Sequence, residues 1–215
     1  MFRNPTLFFL SVLIWTLTSC SKKDNDFPVI TLNGDAVFEI ILNSPFNDPG
    51  AEAYDETEGV ISVEISGEVD TDFAGTYIIY YSASDASENT TVAFRTVIVR
   101  NQAGIYEGAY QAKTIINIDT TDFSADLVVS NTLNYRIWLS GFAAYQNASV
   151  YADIRQDSVF VPAQITLAGT PMVFHKFEGN GLIKNIDGNN VFEINFTDSV
   201  SGNIISGNTV YTNVN

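Results

Sequence analysis

After its first 27 residues the chain is a succession of short β-rich runs separated by turn residues, which leaves little room for helix. No segment longer than about ten residues combines a 3.6-residue apolar period with helix-capping residues. Short runs bounded by Gly, Pro, Asn, Asp and Ser are typical of antiparallel β-proteins. We therefore expect an all-β fold with less than about a tenth of its residues in helix, well below the usual third.

The first part of this region, residues 28–100, carries several strand candidates in about seventy residues, as many as a sandwich of two sheets needs. A turn is predicted at Asp48, Pro49 and Gly50. The strand candidates are residues 29–32, 37–42, 60–65, 75–81 and 92–99.

Two sets of residues in this part resemble known Ig-like domains. Residues 72–77, Asp-Phe-Ala-Gly-Thr-Tyr, resemble the tyrosine corner of immunoglobulin domains, in which the second cysteine comes two positions after the tyrosine; here that position is Ile79. A wider pattern resembles the Ig-like repeats of bacterial surface proteins; it consists of residues 28–34, 48–51, 75–77, Asp85, Asn89 and 95–99. This resemblance implies an Ig-like β-sandwich that acts as a spacer and lifts another module off the cell.

The second part, residues 104–215, follows a linker and reads as about eight antiparallel strands. Such a set can close as an up-and-down barrel or fold as a two-sheet sandwich, and both alternatives stay open. Its opening Gly-Tyr residues and meander order resemble the lipocalin-like C-terminal domains of Bacteroidetes lipoproteins. The strand candidates are residues 110–118, 126–130, 134–142, 148–155, 158–167, 172–184, 190–197 and 203–212.

The N-terminus predicts export. Arg3 precedes a mostly apolar run at residues 7–17, which is shorter than the roughly 20 residues that span a bilayer. The run ends in Leu17-Thr18-Ser19-Cys20, which resembles the lipobox of bacterial lipoproteins. The resemblance implies that residues 1–19 are a signal peptide and that Cys20 is the lipidation site. Lipoprotein cysteines carry three fatty acyl chains of the palmitate type, and two or more chains anchor a protein stably in a membrane.

Residues 20–27 then form a short lipidated tether, whose charged residues resemble the export tag of Bacteroidetes surface lipoproteins. We expect an outer-membrane location and favour the cell surface over the periplasmic face. Cys20 is the only cysteine, so the exported chain has no internal disulfide. The net charge of −15 disfavours nucleic acid as a partner.

The residue types needed for catalysis are scarce, so we expect a protein that is not an enzyme and has no cofactor. His175 is the only histidine, and we expect it at the surface or on an edge strand. A Gly-x-Ser-x-Gly nucleophile elbow and a P-loop are both absent from the sequence.

Acidic residues near the predicted turns of residues 28–100 raise the question of calcium, which binds oxygen ligands from such loops. The Asp-x-Asp-x-Asp-Gly pattern is absent, and Asp favours turns because its side chain bonds the nearby backbone. We therefore expect local turn roles and no metal at these acids, which are Asp48, Asp55, Asp70, Asp72, Asp85 and Glu88.

One pair of strands in the second part carries aromatic and charged residues on the same face. Strand alternation places Arg136 and Trp138 opposite Ile137 and Leu139, and places Tyr151 and Asp153 together on the next strand. If these strands pair, the two rings flanked by charges suit the apolar faces and polar edges of sugar rings. We predict a ligand-binding site at Trp138, Tyr151, Arg136 and Asp153; the alternative is that Trp138 fills a barrel interior or a domain junction.

These features lead to three functional hypotheses. Lipoproteins of this type often accompany outer-membrane polysaccharide-uptake proteins, so the first is a membrane-anchored accessory protein that binds a glycan. The second is a non-catalytic structural or protein-interaction module at the cell surface. The third is a carrier that holds a small ligand inside a barrel, which requires an internal cavity.

Overall fold

The computed structural model describes residues 24–214, so the predicted signal peptide and Cys20 lie outside the described residues and stay predictions. Within this part, fifteen strands and one 3₁₀ helix, Gln102–Tyr106, form the protein, and no helix is long and apolar enough to cross a membrane. The all-β fold is confirmed. The strands are β1 Val29–Leu32, β2 Val37–Ile41, β3 Ala51–Asp55, β4 Gly59–Ile61, β5 Glu64–Ser66, β6 Gly75–Ser84, β7 Thr90–Arg100, β8 Gly108–Ile116, β9 Asp119–Val129, β10 Arg136–Phe142, β11 Tyr145–Arg155, β12 Ser158–Ala168, β13 Val173–Ile186, β14 Asn189–Val200 and β15 Asn203–Asn213.

Strands β1 to β7 form a sandwich of two sheets. One sheet has the strand order β1-β3-β4, and the other has the order β2-β7-β6-β5 with β2 parallel to β7. Alternating side chains of β6 and β7 point inward, so Ile79, Tyr81 and Val97 are at most 4% exposed. Leu32 and Phe38 pack against them from β1 and β2. The predicted Ig-like sandwich is confirmed.

Two details of the sandwich differ from the sequence prediction. The run 60–65, predicted as one strand, is divided between β4 and β5, which belong to different sheets. Strand β3 was not predicted, because Ala, Glu and Asp have low β propensity. It forms because β1 and β4 pair with it on both sides, a long-range effect that local sequence does not show.

The tyrosine corner has the expected geometry. The Tyr77 hydroxyl donates a hydrogen bond of 2.8 Å to the carbonyl oxygen of Phe73, four residues upstream. Ile79 is 4% exposed and packs in the sandwich core, at the position that a cysteine occupies in disulfide-bonded immunoglobulin domains. Apolar packing thus replaces the covalent bridge at this point.

Strands β8 to β15 close into an antiparallel up-and-down barrel, in which β15 pairs with β8. Of the two architectures that the sequence left open, the barrel is therefore correct. A β-bulge interrupts β12 between Val161 and Gln164. The Gln164 side chain compensates, because its Oε1 accepts from the Tyr151 backbone N–H and its Nε2 donates to the Tyr151 carbonyl, both at 2.9 Å.

Inward-facing side chains fill the barrel. The Phe142 ring lies 5.4 Å from Phe177 and 5.6 Å from Phe196, between ring centroids, and these three residues are at most 3% exposed. Tyr211 is fully buried and donates a hydrogen bond of 3.0 Å to the Gly141 carbonyl. Eight-stranded barrels are just wide enough for side chains to fill them or to hold one small ligand. The buried aromatic rings occupy interior space that a small-ligand carrier would need.

The sandwich and the barrel meet at the loop of residues 130–135, which joins β9 to β10. The Asn43 side chain accepts a hydrogen bond of 2.9 Å from the Asn134 backbone, and Asn101 donates one of 2.8 Å to the Ser130 carbonyl. Within residues 24–214 no strand of one unit pairs with a strand of the other. The domain limits at 28–100 and 104–215 stay our proposal.

Candidate functional site

The four residues predicted as a binding site are neighbours on the outer surface of the barrel. The antiparallel register of β10 and β11 sets Arg136 opposite Asp153 and Trp138 opposite Tyr151. We name these four residues the aromatic platform. Trp138 is 44% exposed, and the other three are half-buried. The structure brings all four together, and their role in binding stays a prediction.

The local sequence explains why the platform faces outward. Ile137 and Leu139 flank Trp138 and are fully buried in the barrel core, as is Ala152 next to Tyr151. Because successive side chains of a strand point to opposite faces, the intervening residues must point to solvent. Trp138 therefore does not fill the barrel interior, which was one part of the alternative considered from the sequence.

A bidentate ion pair supports the platform. Arg136 Nε and Nη2 donate to the two carboxylate oxygens of Asp153 at 2.7 and 2.9 Å. These hydrogen bonds raise the pKa of Arg136, so its guanidinium stays charged. The guanidinium carbon lies 4.1 Å from the centroid of the Tyr151 ring, in cation–π contact. Three of the four side chains thus hold one another in place.

The two rings have different exposure to a ligand. Trp138 and Tyr151 meet edge to face, with centroids 5.6 Å apart and an interplanar angle of 64°. The Arg136 guanidinium covers one face of Tyr151, so the accessible aromatic surface belongs mainly to Trp138. Asp153 uses two of the five N–H donors of Arg136, which leaves donors for another acceptor.

The platform continues into a line of outward-facing residues that crosses six strands. Phe160, Asn180, Asn195 and Asn208 follow Asp153 at paired positions on β12, β13, β14 and β15. We name this line, which begins at Arg136, the outer row. Phe160 is 47% exposed. Alternation in β12 identifies Phe160 as outward-facing, but the sequence alone does not show that the three asparagines align, because alignment depends on the pairing register.

A groove of about 560 Å³ lies along the outer row. Phe160 lies at the groove, and the polar side chains of the groove are Glu178, Asn180, Asn195, Thr197 and Ser206. Gly179 and Gly181 make a close approach of β13 to β14 possible at this point. A Cβ at Gly179 would lie 2.7 Å from the Asn195 carbonyl oxygen, and one at Gly181 would lie 2.0 Å from the Glu193 carbonyl oxygen. A larger residue at either position would separate the strands.

Together, the platform and the groove can bind a ligand that has apolar faces and many hydroxyl groups. Exposed rings at Trp138 and Phe160 supply flat apolar surface, and the amide and carboxylate side chains of the platform and the groove supply donors and acceptors beside them. Within residues 24–214, the group of acids spaced to share a metal ion, Asp24 with Asp55 and Asp85, lies on the sandwich side and not at this face.

The prediction for His175 is wrong. His175 is 3% exposed, and its Nδ1 lies 2.9 Å from both carboxylate oxygens of Asp198, which is 1% exposed. Its ring stacks on Phe177 inside the barrel, at a centroid distance of 5.4 Å. Alternation allowed this position, because Phe174 and Lys176 point outward; the sequence did not show that Asp198 comes from the next strand as a buried partner.

The first unit belongs to a recognised class of domain. Residues 30–99 match the family model of the bacterial surface protein Ig-like domain. The match covers the sandwich from β1 to β7 and confirms the Ig-like resemblance. It indicates a protein associated with the bacterial cell envelope.

The solved structures that match the chain include one from Bacteroides and one from Clostridium, whereas no curated protein matches it. A crystal structure of a lipoprotein from Bacteroides thetaiotaomicron has 19% identity and a TM-score of 0.35, and the match covers 86% of this chain and 99% of that one. A structure of CBM51-2 in complex with GlcNAc and INT domains, from Clostridium perfringens ZmpB, has 14% identity and a TM-score of 0.29, over 87% of this chain and 44% of that one.

Proposed function

We propose that the protein is a lipid-anchored, non-catalytic accessory protein of the cell surface and that its barrel binds a glycan. The observation that carries the proposal is the exposed Trp138 next to the polar outer row and its groove. The Ig-like sandwich acts as the spacer between the membrane and the barrel.

The chemistry of the face matches that of a saccharide. Sugar rings have apolar C–H faces that stack on aromatic side chains and hydroxyl edges that bond amides and carboxylates. Trp138 and Phe160 supply stacking surface on β10 and β12, and the polar stretch continues from Phe160 across β13, β14 and β15. Three asparagines and Glu178 supply the polar edge contacts.

The platform is also organised before a ligand arrives. The Arg136–Asp153 pair and the cation–π contact hold Tyr151, and the Tyr151 ring in turn supports Trp138. A ligand therefore has fewer side chains to order on binding, which lowers the entropic cost of association.

The predicted lipidation signal and the Ig-like domain family support the same function. The lipobox ending at Cys20 resembles that of bacterial lipoproteins, and the Ig-like domain matches a family of bacterial surface proteins. By the lipoprotein resemblance, outer-membrane polysaccharide-uptake proteins are the expected partners.

The test is binding of the purified full chain, in detergent, to a glycan array and then to the best glycan by calorimetry. Trp138→Ala should weaken binding about fivefold or more, because each aromatic–sugar stack is worth about 1 kcal/mol. The melting temperature should hardly change, because Trp138 lies outside the core.

The matched control is Phe174→Ala, which removes another exposed ring of the barrel, 70% exposed, away from the platform. This variant should bind glycan like the native protein. Equal losses in both variants would show a non-specific aromatic effect. An array without any signal for the native chain would contradict glycan binding.

A second candidate function, a protein-interaction module, is favoured by an apolar patch on the barrel. Ile165, Leu167 and Phe174 point outward from β12 and β13 and are between 41% and 70% exposed. Leu167 and Phe174 are directly paired across the two strands. A blank glycan array combined with loss of an uptake-protein contact in Phe174→Ala would support this function instead.

A further inference from the structure

Three aspartates from different parts of the sandwich side of the molecule meet at one point. Asp24 lies in the predicted tether, Asp55 ends β3, and Asp85 follows β6. One carboxylate oxygen of each lies within 4.8 Å of the other two. We name these residues the carboxylate cluster.

The cluster contains a buried oxygen that lacks a hydrogen bond. Asp55 is 1% exposed, and its Oδ1 accepts from the backbone N–H groups of Thr57 and Glu58 at 2.9 and 3.0 Å. Among residues 24–214, no group donates to Asp55 Oδ2. An unpaired buried carboxylate oxygen is costly, because burial removes the water that would bond it.

Charge makes the arrangement more demanding. Asp85 is only 7% exposed, and Asp24 is half-buried. No lysine or arginine within the described residues forms an ion pair with any of the three acids. Three carboxylates this close repel one another strongly where solvent screening is weak, so the arrangement calls for a compensating cation.

We propose that the carboxylate cluster is a calcium site. The ligands are hard oxygen atoms, which select Ca²⁺ or Mg²⁺ over softer metals. Ligands on opposite sides of a calcium ion are up to about 5 Å apart, because Ca–O distances are about 2.3–2.6 Å. The carboxylate oxygens of the cluster lie within 4.8 Å of one another, so one calcium ion can contact all three. A set of three protein carboxylates favours Ca²⁺, since Mg²⁺ is usually held by only one or two.

Hydrogen bonds from neighbouring residues already orient the ligands. Asn89 donates to both oxygens of Asp85, from its backbone at 2.7 Å and from its side chain at 2.6 Å. The Thr57 hydroxyl donates to Asp24 Oδ2 at 2.5 Å. These bonds leave lone pairs for a cation, and water molecules would complete a shell of six to eight oxygens.

A cation here would bind the tether to the sandwich. Asp24 is four positions after Cys20, and the Asn89 side chain also donates to the carbonyl oxygens of Asp24 and Asp26, at 3.2 and 3.0 Å. Calcium would add a stronger bond between the same two parts. The site therefore couples external calcium to how firmly the Ig-like domain is held next to its lipid anchor.

The first experiment is titration of calcium into the chelator-treated full chain in detergent, followed by calorimetry. Native protein should show one saturable site with a Kd of about 0.1–1 mM, the range of extracellular calcium modules. Asp55→Asn and Asp24→Asn should each weaken binding at least about tenfold, because each removes a charged ligand. Asp24→Asn serves as the second variant, since Asp24 lies outside the sandwich strands.

The second experiment compares melting temperatures in EDTA and in about 10 mM calcium. In EDTA, Asp55→Asn should melt at or above the native temperature, because the amide keeps the Oδ1 acceptor and donates to the two remaining acids. In calcium the melting temperature of the native protein should rise by about 5 °C and exceed that of the variant. A purely structural role for Asp55 predicts the same order in both solutions.

Two controls keep the proposal open to refutation. Asp70→Asn changes another turn aspartate, whose Oδ1 accepts from the Asp72 backbone at 2.9 Å, and should leave calcium binding unchanged. Equal stabilisation by sodium chloride at the same ionic strength would reveal charge screening only. Absence of a saturable heat, or an unchanged affinity in Asp55→Asn, would overturn the site. The glycan proposal does not depend on this result, and Trp138→Ala should bind calcium like the native protein.

Discussion

The guanidinium of Arg95 is fully buried in the sandwich, where an isolated charge would be strongly destabilising. Every direction around it carries a partner. Its Nε donates to the Asp35 carbonyl at 3.0 Å, and its Nη2 donates to the Asn33 carbonyl at 2.6 Å. Nη1 bonds the Asp48 carboxylate and the Tyr81 hydroxyl. The network joins β7 to the loop between β1 and β2 and to the segment that precedes β3.

Tyr81 in this network predicts loss of stability at high pH. Burial, with the hydrogen bond to Asp48, raises the pKa of Tyr81 to about 12, from an ordinary value of 10.0. The unfolded chain therefore releases this proton near pH 10 while the folded chain keeps it. The contribution of Tyr81 to the free energy of unfolding is complete below about pH 10. Between about pH 10 and 12 it should fall by about 1.4 kcal/mol per pH unit.

Tyr81→Phe isolates this effect. At pH 8 the variant should be less stable by about 1 kcal/mol or more, because Asp48 and Arg95 lose a partner. Between pH 10 and 11.5 the gap to the native protein should close, as the native protein alone pays the ionisation penalty of this residue. Urea unfolding across this pH range measures the gap, and a gap that stays constant would contradict the prediction.

At the residue scale, the sequence indicated which side chains have a role better than it indicated which residues they contact. Asp48 and Arg95 both belonged to the Ig-like pattern, but only the fold shows that they form an ion pair. Trp138 and Tyr151 were predicted as neighbours because alternation defines a face and adjacent strands of a meander pair. His175 was misplaced because its partner Asp198 is 23 residues away, a separation at which local pattern carries no information.

Elements show a similar division. Alternation and turn residues predicted eight barrel strands, since both signals are local, but β9 begins at Asp119, seven residues before its predicted start at 126. Whether the strands closed into a barrel depended on the pairing of β15 with β8, which joins positions about a hundred residues apart, such as Thr209 and Thr114. Strand β3 was missed because its residues are poor strand formers that only its partners β1 and β4 hold in place.

The tyrosine corner gives the prediction at this scale. Tyr77→Phe removes only the hydroxyl that bonds the Phe73 carbonyl where β6 begins, so unfolding should become easier by about 1 kcal/mol. Tyr80→Phe is the matched control on the same strand. Because Tyr80 is 45% exposed, this change should alter the stability little. Equal stability of Tyr77→Phe and the native chain in denaturant would show that the corner contributes nothing.

Considered as a whole molecule, the sandwich and the barrel are joined by several hydrogen bonds. Asn43 and Asn101, from the sandwich and the linker, both bond the loop of residues 130–135, and the Ala74 backbone donates to the Asn131 carbonyl at 2.7 Å. Such bonds keep the outer row at a set orientation to the sandwich. A freely jointed linker would not, because each flexible residue adds orientational freedom.

The anchor is the prediction that belongs to the whole molecule. If Cys20 carries acyl chains, the native protein should enter the detergent phase on Triton X-114 partitioning of cells of its own host, because two or more chains suffice for stable membrane binding. Cys20→Ala should leave the protein uncleaved, or cleaved and released into the aqueous phase.

Two controls accompany this test. Ser21→Ala is a neighbouring change that should leave partitioning unaltered. Mass measurement of the N-terminal peptide should show the added acyl mass on the native chain and not on Cys20→Ala. Native protein recovered from the aqueous phase would refute lipidation. Electrostatic attraction could not then hold the chain at an anionic lipid surface, because its net charge is −15.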